Sequence, residues 1–497
     1  MKRGIGAKLI ASLLLACAGP VEQREWIEVS TPNFRVYSTL GADETSAMAL
    51  RLELFRTVAS KIATVPTLEP VVQTRILLFD KRYDFQAFEA NRSVVGFFVQ
   101  RMRANYAVIR RDRQLDETQA LLHEYVHFLM ANGPQRMYPR WYAEGFAEFL
   151  RTLATTGDTV VVGAFPMDRK AEFRRALRGG WAPFHEIVGP RGASFPMFYP
   201  QSWALVHWLM LGRTGRNAGA DLSRYLDLIE AGESVEPAFE SAFGIRLQDA
   251  DVAIRRYLDG EYKAVGLRLA AFGHVPPDPV IRSMSEGEAS LALAGLALSL
   301  DDFPRAAALF SAARAALPAS ARAHAGLGIT ETQRGNWEAA GALFERALAL
   351  DPDDAEIQLD RARHLHALAL AENDPSRRSE SLARARRHYL RSSELDPKIP
   401  ETWARYGSTF SISGEDTARG IEGLEHAHRL LPSSPEVQLL LARAYLRAGR
   451  EVDAIALAER AVAHSHVVDR EANLQALLQP LVREDDAGLS AGFPRAQ

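Results

Sequence analysis

Three side chains that bind or activate metals lie within five positions of a mostly apolar stretch, LLHEYVHFLM. They are His123, Glu124 and His127, in the order His-Glu-x-x-His. Residues four apart share one face of a helix, so the two imidazoles can bind one Zn²⁺ ion. Glu124 then lies beside the ion, where it can act as general base toward a water molecule. The alternative is a pair of core histidines that hydrogen-bond to other protein groups.

A second segment with acidic residues, PRWYAEGFAEFL, follows at residues 139–150. Pro139 suits the start of a helix, on which Glu144 and Glu148 lie four residues apart on one face. Catalytic zinc commonly takes three protein ligands and a water molecule. Two carboxylates on an otherwise aromatic helix need a partner, and zinc would be one.

The HExxH motif and the W-x-x-E-G-x-A segment together resemble the gluzincin metallopeptidases, the thermolysin-like and membrane alanyl aminopeptidase-like group. The resemblance implies an α+β thermolysin-like metallopeptidase domain over residues 24–270. It also implies one Zn²⁺ per chain, with Glu124 as catalytic base and three ligands, His123, His127 and Glu144. Aminopeptidases of this group carry a Gly-x-Met-Glu-Asn segment upstream, and residues 96–112 hold none. We therefore expect an endopeptidase.

Two further positions have open roles. Glu148 has three alternative roles. It replaces Glu144 as the metal ligand, it holds a ligand imidazole in place, or it is a salt-bridged or solvated carboxylate. Peptide hydrolysis builds negative charge on the carbonyl oxygen, and relatives often use a Tyr or His on a later helix to stabilise it. The resemblance favours Tyr199 for this catalytic role, with His207 as the rival. Otherwise both side chains pack in the core.

The elements that must position these residues are readable from hydrophobic periodicity. FRVYS and TRILLFD, at residues 34–38 and 74–80, predict strands, with a helix at 43–62 between them. GFFVQR and NYAVIRR predict a hairpin at residues 96–111, whose edge strand can pair with an extended peptide. Three prolines in FGHVPPDPVIRSM predict a linker, which we place at 271–284.

The last third of the chain repeats. Three residues recur 34 positions later: Phe310, Ala313 and Pro318 return as Phe344, Ala347 and Pro352. This unit resembles the tetratricopeptide repeat. The resemblance implies an all-α tetratricopeptide solenoid of about five copies over 285–475, with an insertion around 372–381 and a tail at 476–497. The alternative is a generic Ala-Leu-rich helical bundle.

The N-terminus has the features of a signal peptide. MKRGIGAK is basic, and the apolar run LIASLLLA is too short to span a membrane. Leu14-Leu15-Ala16-Cys17 resembles the bacterial lipobox, which implies a signal peptide at 1–17, lipidation of Cys17 and a membrane anchor without a spanning helix. Because Ala18 rather than aspartate follows the cysteine, we expect an outer-membrane lipoprotein facing the periplasm. Ala16-Cys17-Ala18 also fits ordinary signal cleavage, and a cytoplasmic chain is the remaining alternative.

Composition limits the partners. The 497 residues carry a formal net charge of −3, which gives no electrostatic case for nucleic-acid binding, and one cysteine excludes a disulfide framework within the chain. Two functions are compatible with these features. One is an envelope-anchored zinc peptidase that acts on peptide or protein substrates, with a protein partner on the repeats. The other is a zinc-binding scaffold with little or no proteolytic activity that acts through its repeats. The sequence does not indicate the oligomeric state.

Overall fold

The computed structural model describes residues 19–464, except 63–73, 92–93, 112–116, 132–137, 190–194, 214, 260–263 and 433. The signal peptide with Cys17 and the tail at 476–497 lie outside the described residues. Within the described ranges, no helix is both long and apolar enough to cross a membrane.

Nine strands form two sheets in the described N-terminal part. Their bounds are β1 Trp26–Ser30, β2 Phe34–Ser38, β3 Thr74–Phe79, β4 Gly96–Gln100, β5 Asn105–Arg110, β6 Ala154–Thr156, β7 Thr159–Val162, β8 Val265–Arg268 and β9 Val280–Met284. The larger sheet has the order β4-β5-β3-β2-β1-β9, and the smaller one β6-β7-β8. Strands β2, β3 and β5 run parallel to one another, and the other pairs are antiparallel. The predicted strands and the β4–β5 hairpin are confirmed.

Ten α-helices accompany these strands in the described part of the N-terminal region. They are α1 Ala42–Ile62, α2 Arg82–Phe85, α3 Glu117–Ala131, α4 Arg140–Leu150, α5 Lys170–Arg175, α6 Phe184–Ile187, α7 Phe198–His207, α8 Ala218–Glu230, α9 Val235–Phe243 and α10 Leu247–Asp259. Helices α1 and α3 cover one face of the larger sheet. Alternate residues of the strands, such as Val36, Ile76 and Ile109, point into that core because successive side chains of a strand face opposite sides.

The segment predicted as a linker is part of the fold. Strand β9 pairs with β1 along its whole length, with Trp26 opposite Met284 and Ser30 opposite Val280. Just before it, Lys61 donates a hydrogen bond to the carbonyl of Phe272 over 2.6 Å. The prolines are therefore confined to the short approach to an edge strand, where proline is tolerated. The prediction that 271–284 is a linker is corrected accordingly.

Five helix pairs follow in the described C-terminal part. They are α11 Glu286–Ser299 with α12 Phe303–Ala316, α13 Ala321–Gln333 with α14 Trp337–Leu350, α15 Ala355–Ala371 with α16 Pro375–Leu395, α17 Pro400–Ser413 with α18 Thr417–Leu430, and α19 Pro435–Arg447 with α20 Glu451–His464. A capping box between Ser285 and Glu288 starts the array. A Cβ at Gly326 would clash with the ring of Phe310, so the repeated small and aromatic residues set how closely the helices approach.

The extra residues of the third pair do not form an inserted loop. Helix α15 has 17 residues and α16 has 21, whereas the helices of the second pair have 13 and 14. Only residues 372–374 connect the two long helices. The predicted insertion around 372–381 is therefore a lengthening of both helices.

The repeats share a hydrophobic core with the sheet. The face of the sheet opposite α1 and α3 presents Trp26, Leu77 and Tyr106, which cluster with Leu293 and Leu296 of α11. A Cβ at Gly295 would lie 2.6 Å from the Tyr106 hydroxyl, so α11 crosses the sheet closely at a glycine. The sheet is thus covered on one face by α1 and α3 and on the other by the first repeat.

Candidate metal centre

The two predicted metal-binding segments lie on neighbouring helices. The HExxH residues are on α3, and Glu144 and Glu148 are on α4, which begins immediately after Pro139. Helix α4 packs between α3 and α7. A Cβ at Gly145 would lie 2.6 Å from the carbonyl oxygen of Ser202, so the glycine after Glu144 allows α7 to approach α4.

Three donor atoms converge between these helices. The Nε2 atoms of His123 and His127 are 3.3 Å apart, and they lie 3.4 Å and 3.2 Å from Oε2 of Glu144. A tetrahedral ion with ligands at 2.0–2.1 Å requires its ligand atoms to be about 3.3 Å apart. The three atoms therefore have the spacing of one face of a zinc tetrahedron. Among the described residues, this is the one group of three metal-type side chains that meets so closely.

The buried carboxylate of Glu144 has an unsatisfied oxygen. Glu144 is 3% exposed, and its Oε2 atom has no hydrogen-bond partner among the described residues. Burial alone would raise the pKa of Glu144, but the imidazoles of His123 and His127 outweigh it and lower the pKa well below the usual value. An ionised buried oxygen that faces two ring nitrogens and lacks a hydrogen bond fits a cation between the three groups.

Glu148 holds the other side of the His123 ring. Its Oε1 lies 3.3 Å from Nδ1 of His123, and Arg169 donates to both of its oxygens over 2.8 and 2.9 Å. Arg151 adds a third hydrogen bond over 2.9 Å. Glu148 therefore contacts the His123 ring and is also ion-paired with Arg151 and Arg169, which is compatible with two of its three interpretations. It does not belong to the converging donor group.

These contacts determine which ring nitrogen of His123 points at the centre. With Nδ1 facing a carboxylate, the proton of a neutral imidazole is favoured there, and the lone pair of Nε2 faces Glu144 and His127. Burial opposes a charge on the ring, but the two carboxylates outweigh it and raise the pKa of His123. Without another cation, the ring would therefore retain a second proton. A metal ion at Nε2 would have to displace that proton.

Tyr199 borders the donor group, and Glu124 is adjacent in sequence to one of its members. Glu124 follows His123 on α3 and is partly exposed, so solvent reaches it. Tyr199 is in the first turn of α7, and its ring centroid is 6.5 Å from that of His123. The Arg169 guanidinium lies 5.0 Å from the Tyr199 ring centroid. Burial, followed by the charge of Glu144, raises the pKa of the Tyr199 phenol.

The rival residue, His207, is used for packing. It is fully buried, with Nε2 2.9 Å from the carbonyl oxygen of Gly163 and Nδ1 2.9 Å from the Tyr257 hydroxyl. Burial lowers the pKa of His207 to about 4. Both ring nitrogens thus have protein partners, which leaves Tyr199 as the candidate that borders the donor group.

Sequence reasoning missed the two arginines that support Glu148. Arg151 also donates to Gln119 of α3 and to both oxygens of Asp168, so it ties the two site helices together. Its position three residues after Glu148, directly after the last residue of α4, was a visible signal for an ion pair. Arg169 had no such signal, because it approaches from a separate segment.

Comparison with known proteins identifies the repeats. The tetratricopeptide repeat family matches residues 291–355 and 415–466. The unmatched stretch between them contains the long helices α15 and α16. No curated protein matches the chain. The prediction of an all-α tetratricopeptide solenoid is confirmed, and such repeats generally bind protein partners.

Several solved structures resemble the repeat region. A thermophilic TPR protein from Thermus thermophilus is 21% identical over 39% of this chain and 99% of its own, with a TM-score of 0.36. PilF from Pseudomonas aeruginosa is 20% identical over 39% of this chain and 82% of its own, with a TM-score of 0.32. YrrB, a TPR protein with an unusual peptide-binding site, is 16% identical over 39% and 91%, with a TM-score of 0.28.

Proposed function

We propose that the chain is a zinc-dependent peptidase of the gluzincin type, and that its N-terminal part has the thermolysin-like arrangement that the resemblance implies. The observation that carries the proposal is the convergence of Nε2 of His123, Nε2 of His127 and Oε2 of Glu144, all within 4.8 Å of one another. The unsatisfied Glu144 oxygen supports zinc over a purely structural cluster. Bound zinc would supply a Lewis acid that polarises water and the scissile carbonyl.

The residues of this chain would then divide the proton chemistry. Glu124 is exposed enough to meet water, and it takes a proton from the attacking water and passes it to the leaving amine. The Tyr199 O–H would donate a hydrogen bond to the carbonyl oxygen as negative charge develops there. A tyrosine phenol is protonated at neutral pH, and burial, followed by Glu144, raises the pKa of Tyr199 further, so it remains a donor.

An extended peptide is the substrate class that fits. In the described part of the chain, β4 is the outer strand of its sheet, and it lies along α3. Phe98 of β4 contacts Phe128 of α3, one residue after His127, with ring centroids 6.0 Å apart. A substrate strand added to β4 would run beside the metal helix, and main-chain hydrogen bonds would hold it. This mode accepts internal peptide bonds, as an endopeptidase requires.

The proposed location is the bacterial envelope. It is supported by the lipobox-like residues that end at Cys17 and by the basic, apolar leader before them. We expect Cys17→Ser to move the chain from the membrane fraction to the soluble fraction in detergent partitioning. A Cys17→Ser chain that stays with membranes would contradict lipidation.

The test of the peptidase proposal is digestion of a peptide library by zinc-loaded protein, beside Glu124→Gln and the control Glu186→Gln on α6. Glu124→Gln should retain zinc and lose hydrolysis by about 10²–10⁴-fold, because only the proton transfer is removed. Glu186→Gln should behave as wild type. Wild-type hydrolysis that survives Glu124→Gln undiminished would refute the mechanism.

A second candidate is the zinc-binding scaffold with little turnover. It is favoured by the repeats, since they are the part of the chain that a known family matches. Under this alternative the wild type holds zinc but cleaves nothing in the library, and Glu124→Gln changes neither property. The same experiment therefore separates the two candidates.

A further inference from the structure

The tip of the β4–β5 hairpin is inserted among the repeat helices. Arg103 donates from Nη2 to Asp360 over 2.7 Å and from Nε to Glu401 over 3.1 Å. Asp360 belongs to α15 and Glu401 to α17, so one side chain bridges two successive repeats. The three side chains are nearly buried, with exposures of 17%, 6% and 8%.

The two residues before Arg103 add further contacts. Arg101 donates to the carbonyl oxygen of Ser299 over 2.7 Å and to Asp301 over 2.9 Å, both at the end of α11. Met102 is 4% exposed and clusters with Ala404 of α17 and Leu441 of α19. Three consecutive residues thus reach the first helices of four repeats, α11, α15, α17 and α19, whose side facing the hairpin tip we call the inner surface.

The acidic residues at this position are shared among several arginines. Arg363 and Arg405 lie 3.4 and 3.5 Å from Oε1 of Glu401, while Arg103 occupies Oε2. Burial would raise the pKa of Glu401, but these guanidinium groups outweigh it and lower the pKa to about 2. Glu401 therefore stays ionised. If Arg103 lost its contact with Glu401, the buried guanidinium would lose one of its two carboxylate partners.

The same hairpin borders the candidate metal centre. Strand β4 alternates its side chains, with Phe98 toward α3 and Phe97 toward Phe85 in the core shared with the repeats. Strand β4 pairs with β5 alone among the described residues, whereas β5 is also paired with β3. An edge strand has unpaired main-chain groups on one side, so the docked tip adds a further restraint on the position of β4.

We propose that the inner surface of the repeats acts as a clamp for this hairpin, and that docking of Arg101, Met102 and Arg103 positions the edge strand β4 for substrate beside the metal centre. The repeats would then regulate the proposed peptidase through β4, and any ligand that occupies the Asp360–Glu401 position would release the strand. The catalytic consequence rests on the proposed function, whereas the clamping of β4 does not.

The first test is amide hydrogen exchange on the full chain, read by mass spectrometry for peptides that cover β4. Arg103→Ala should speed exchange in β4 by about tenfold or more, because a buried ion pair is lost at the tip. The matched control is Arg391→Ala, which removes an exposed arginine of α16 that pairs with Asp353 and Glu394. It should leave β4 as in wild type. Unchanged exchange in β4 of Arg103→Ala would overturn the proposal, and so would an equal loss of protection throughout the chain.

A second test needs no folded variant. A cyclic peptide with the sequence of residues 99–105, VQRMRAN, is added to wild-type protein, and the control peptide has alanine at the Arg103 position. The arginine peptide should compete for the inner surface and speed exchange in β4, while the control should not. If neither peptide, or both equally, changes β4, the clamp is refuted even where Arg103→Ala fails to fold.

Hydrolysis separates this inference from the proposed function. In Arg103→Ala, we expect hydrolysis to fall about tenfold with zinc content unchanged, because the metal ligands are intact and only the strand is freed. If wild type cleaves nothing while β4 still responds in both exchange tests, the peptidase proposal fails and the clamp stands. If wild type cleaves and Arg103→Ala cleaves equally well, the clamp does not position β4 for substrate.

Discussion

Two buried clusters of charge each join elements that are distant in the sequence, and they differ in how their charges are compensated. In the cluster at the hairpin tip, the hydrogen bonds of Arg103 to Asp360 and Glu401 join a sheet to two repeats, and none of these three side chains has a buried polar atom left unsatisfied. In the metal-type cluster, Glu144 retains a buried oxygen without a hydrogen-bond partner in the described structure. Both clusters connect distant elements. At the hairpin tip, Nε of Arg405 lacks a hydrogen bond but lies 3.5 Å from the carboxylate of Glu401, whereas the unsatisfied oxygen of Glu144 faces two imidazole nitrogens.

The difference bears on what each cluster can bind. A buried charge must be compensated, and at the hairpin tip guanidinium and carboxylate groups of the chain compensate one another. In the metal-type cluster a carboxylate oxygen faces two imidazole nitrogens, so either a proton on the rings or a cation between the three groups compensates it, and the convergence of the donor atoms fits a metal ion. The spacing of about 3.3 Å expected between zinc ligands is met only by the second cluster in the described residues.

The largest expected effect is loss of the metal. His123→Ala should reduce zinc from about one ion per chain to almost none, since two ligands rarely retain a catalytic ion. The control is His185→Ala, an exposed histidine on α6, which should leave the zinc content unchanged. Elemental analysis of the purified proteins decides the outcome. Equal zinc content in His123→Ala and wild type would contradict the assignment of a metal site to this cluster.

A smaller effect is expected at Glu148, which contacts both the His123 ring of the metal-type cluster and two arginines. Glu148→Gln should weaken zinc binding by about 10–100-fold, because the amide no longer favours the proton on Nδ1 of His123. Competition with a chelator measures the affinity. Arg169→Ala should weaken binding in the same direction, since Arg169 holds both oxygens of Glu148. If both variants bind zinc as tightly as wild type, Glu148 and its arginine partners contribute to the structure and not to metal binding.

The packing that brings the site together should also be measurable. Gly145→Ala would place a Cβ 2.6 Å from the backbone oxygen of Ser202, which cannot move as a side chain can. We expect a loss of about 1–3 kcal/mol in the free energy of unfolding by denaturant. Gly41→Ala is the control, because a Cβ there meets nothing within 4 Å. Equal stability of the two variants would mean that α7 adjusts without cost.

How much of this could be predicted depends on the distance along the chain. The HExxH helix and the Glu144 helix were readable because their signals lie within 4 residues of each other or in one short segment. Strands β2 and β3 and the β4–β5 hairpin were readable from local alternation. The repeats were readable from their 34-residue spacing, and the family match bears them out.

The remainder depends on contacts that no local pattern encodes. Strand β9 pairs with β1 from the far end of the N-terminal region, and its approach has the same proline-rich composition as a linker. Arg103 lies 257 residues from Asp360 and 298 from Glu401. In the sequence, Arg101-Met102-Arg103 has the composition of a solvated turn. Only the fold reveals that this turn is buried among the repeats.

The smallest expected effect is the pH dependence of stability at the cluster around the hairpin tip. His366 of α15 lies next to the charges of Arg363, Arg386 and Arg405 and contacts the Tyr389 hydroxyl over 3.2 Å. Burial, followed by these arginines, lowers the pKa of His366 to about 3 from an ordinary value of 6.5. Between these two values the unfolded chain binds a proton that the folded chain does not. Stability is therefore lost as the pH falls below 6.5.

For His366 the loss should be about 1.4 kcal/mol for each pH unit below the unfolded pKa, as an upper bound. Denaturant unfolding of wild type and His366→Gln at about pH 7 and about pH 5 isolates the contribution of this residue, because glutamine keeps a polar side chain that does not titrate. Wild type should lose more stability than His366→Gln over this interval. The other buried histidines affect both proteins equally, so identical losses would show that His366 is not kept neutral by its arginine neighbours. The cluster at the hairpin tip would then tolerate an added positive charge, and its contrast with the metal-type cluster would be weaker.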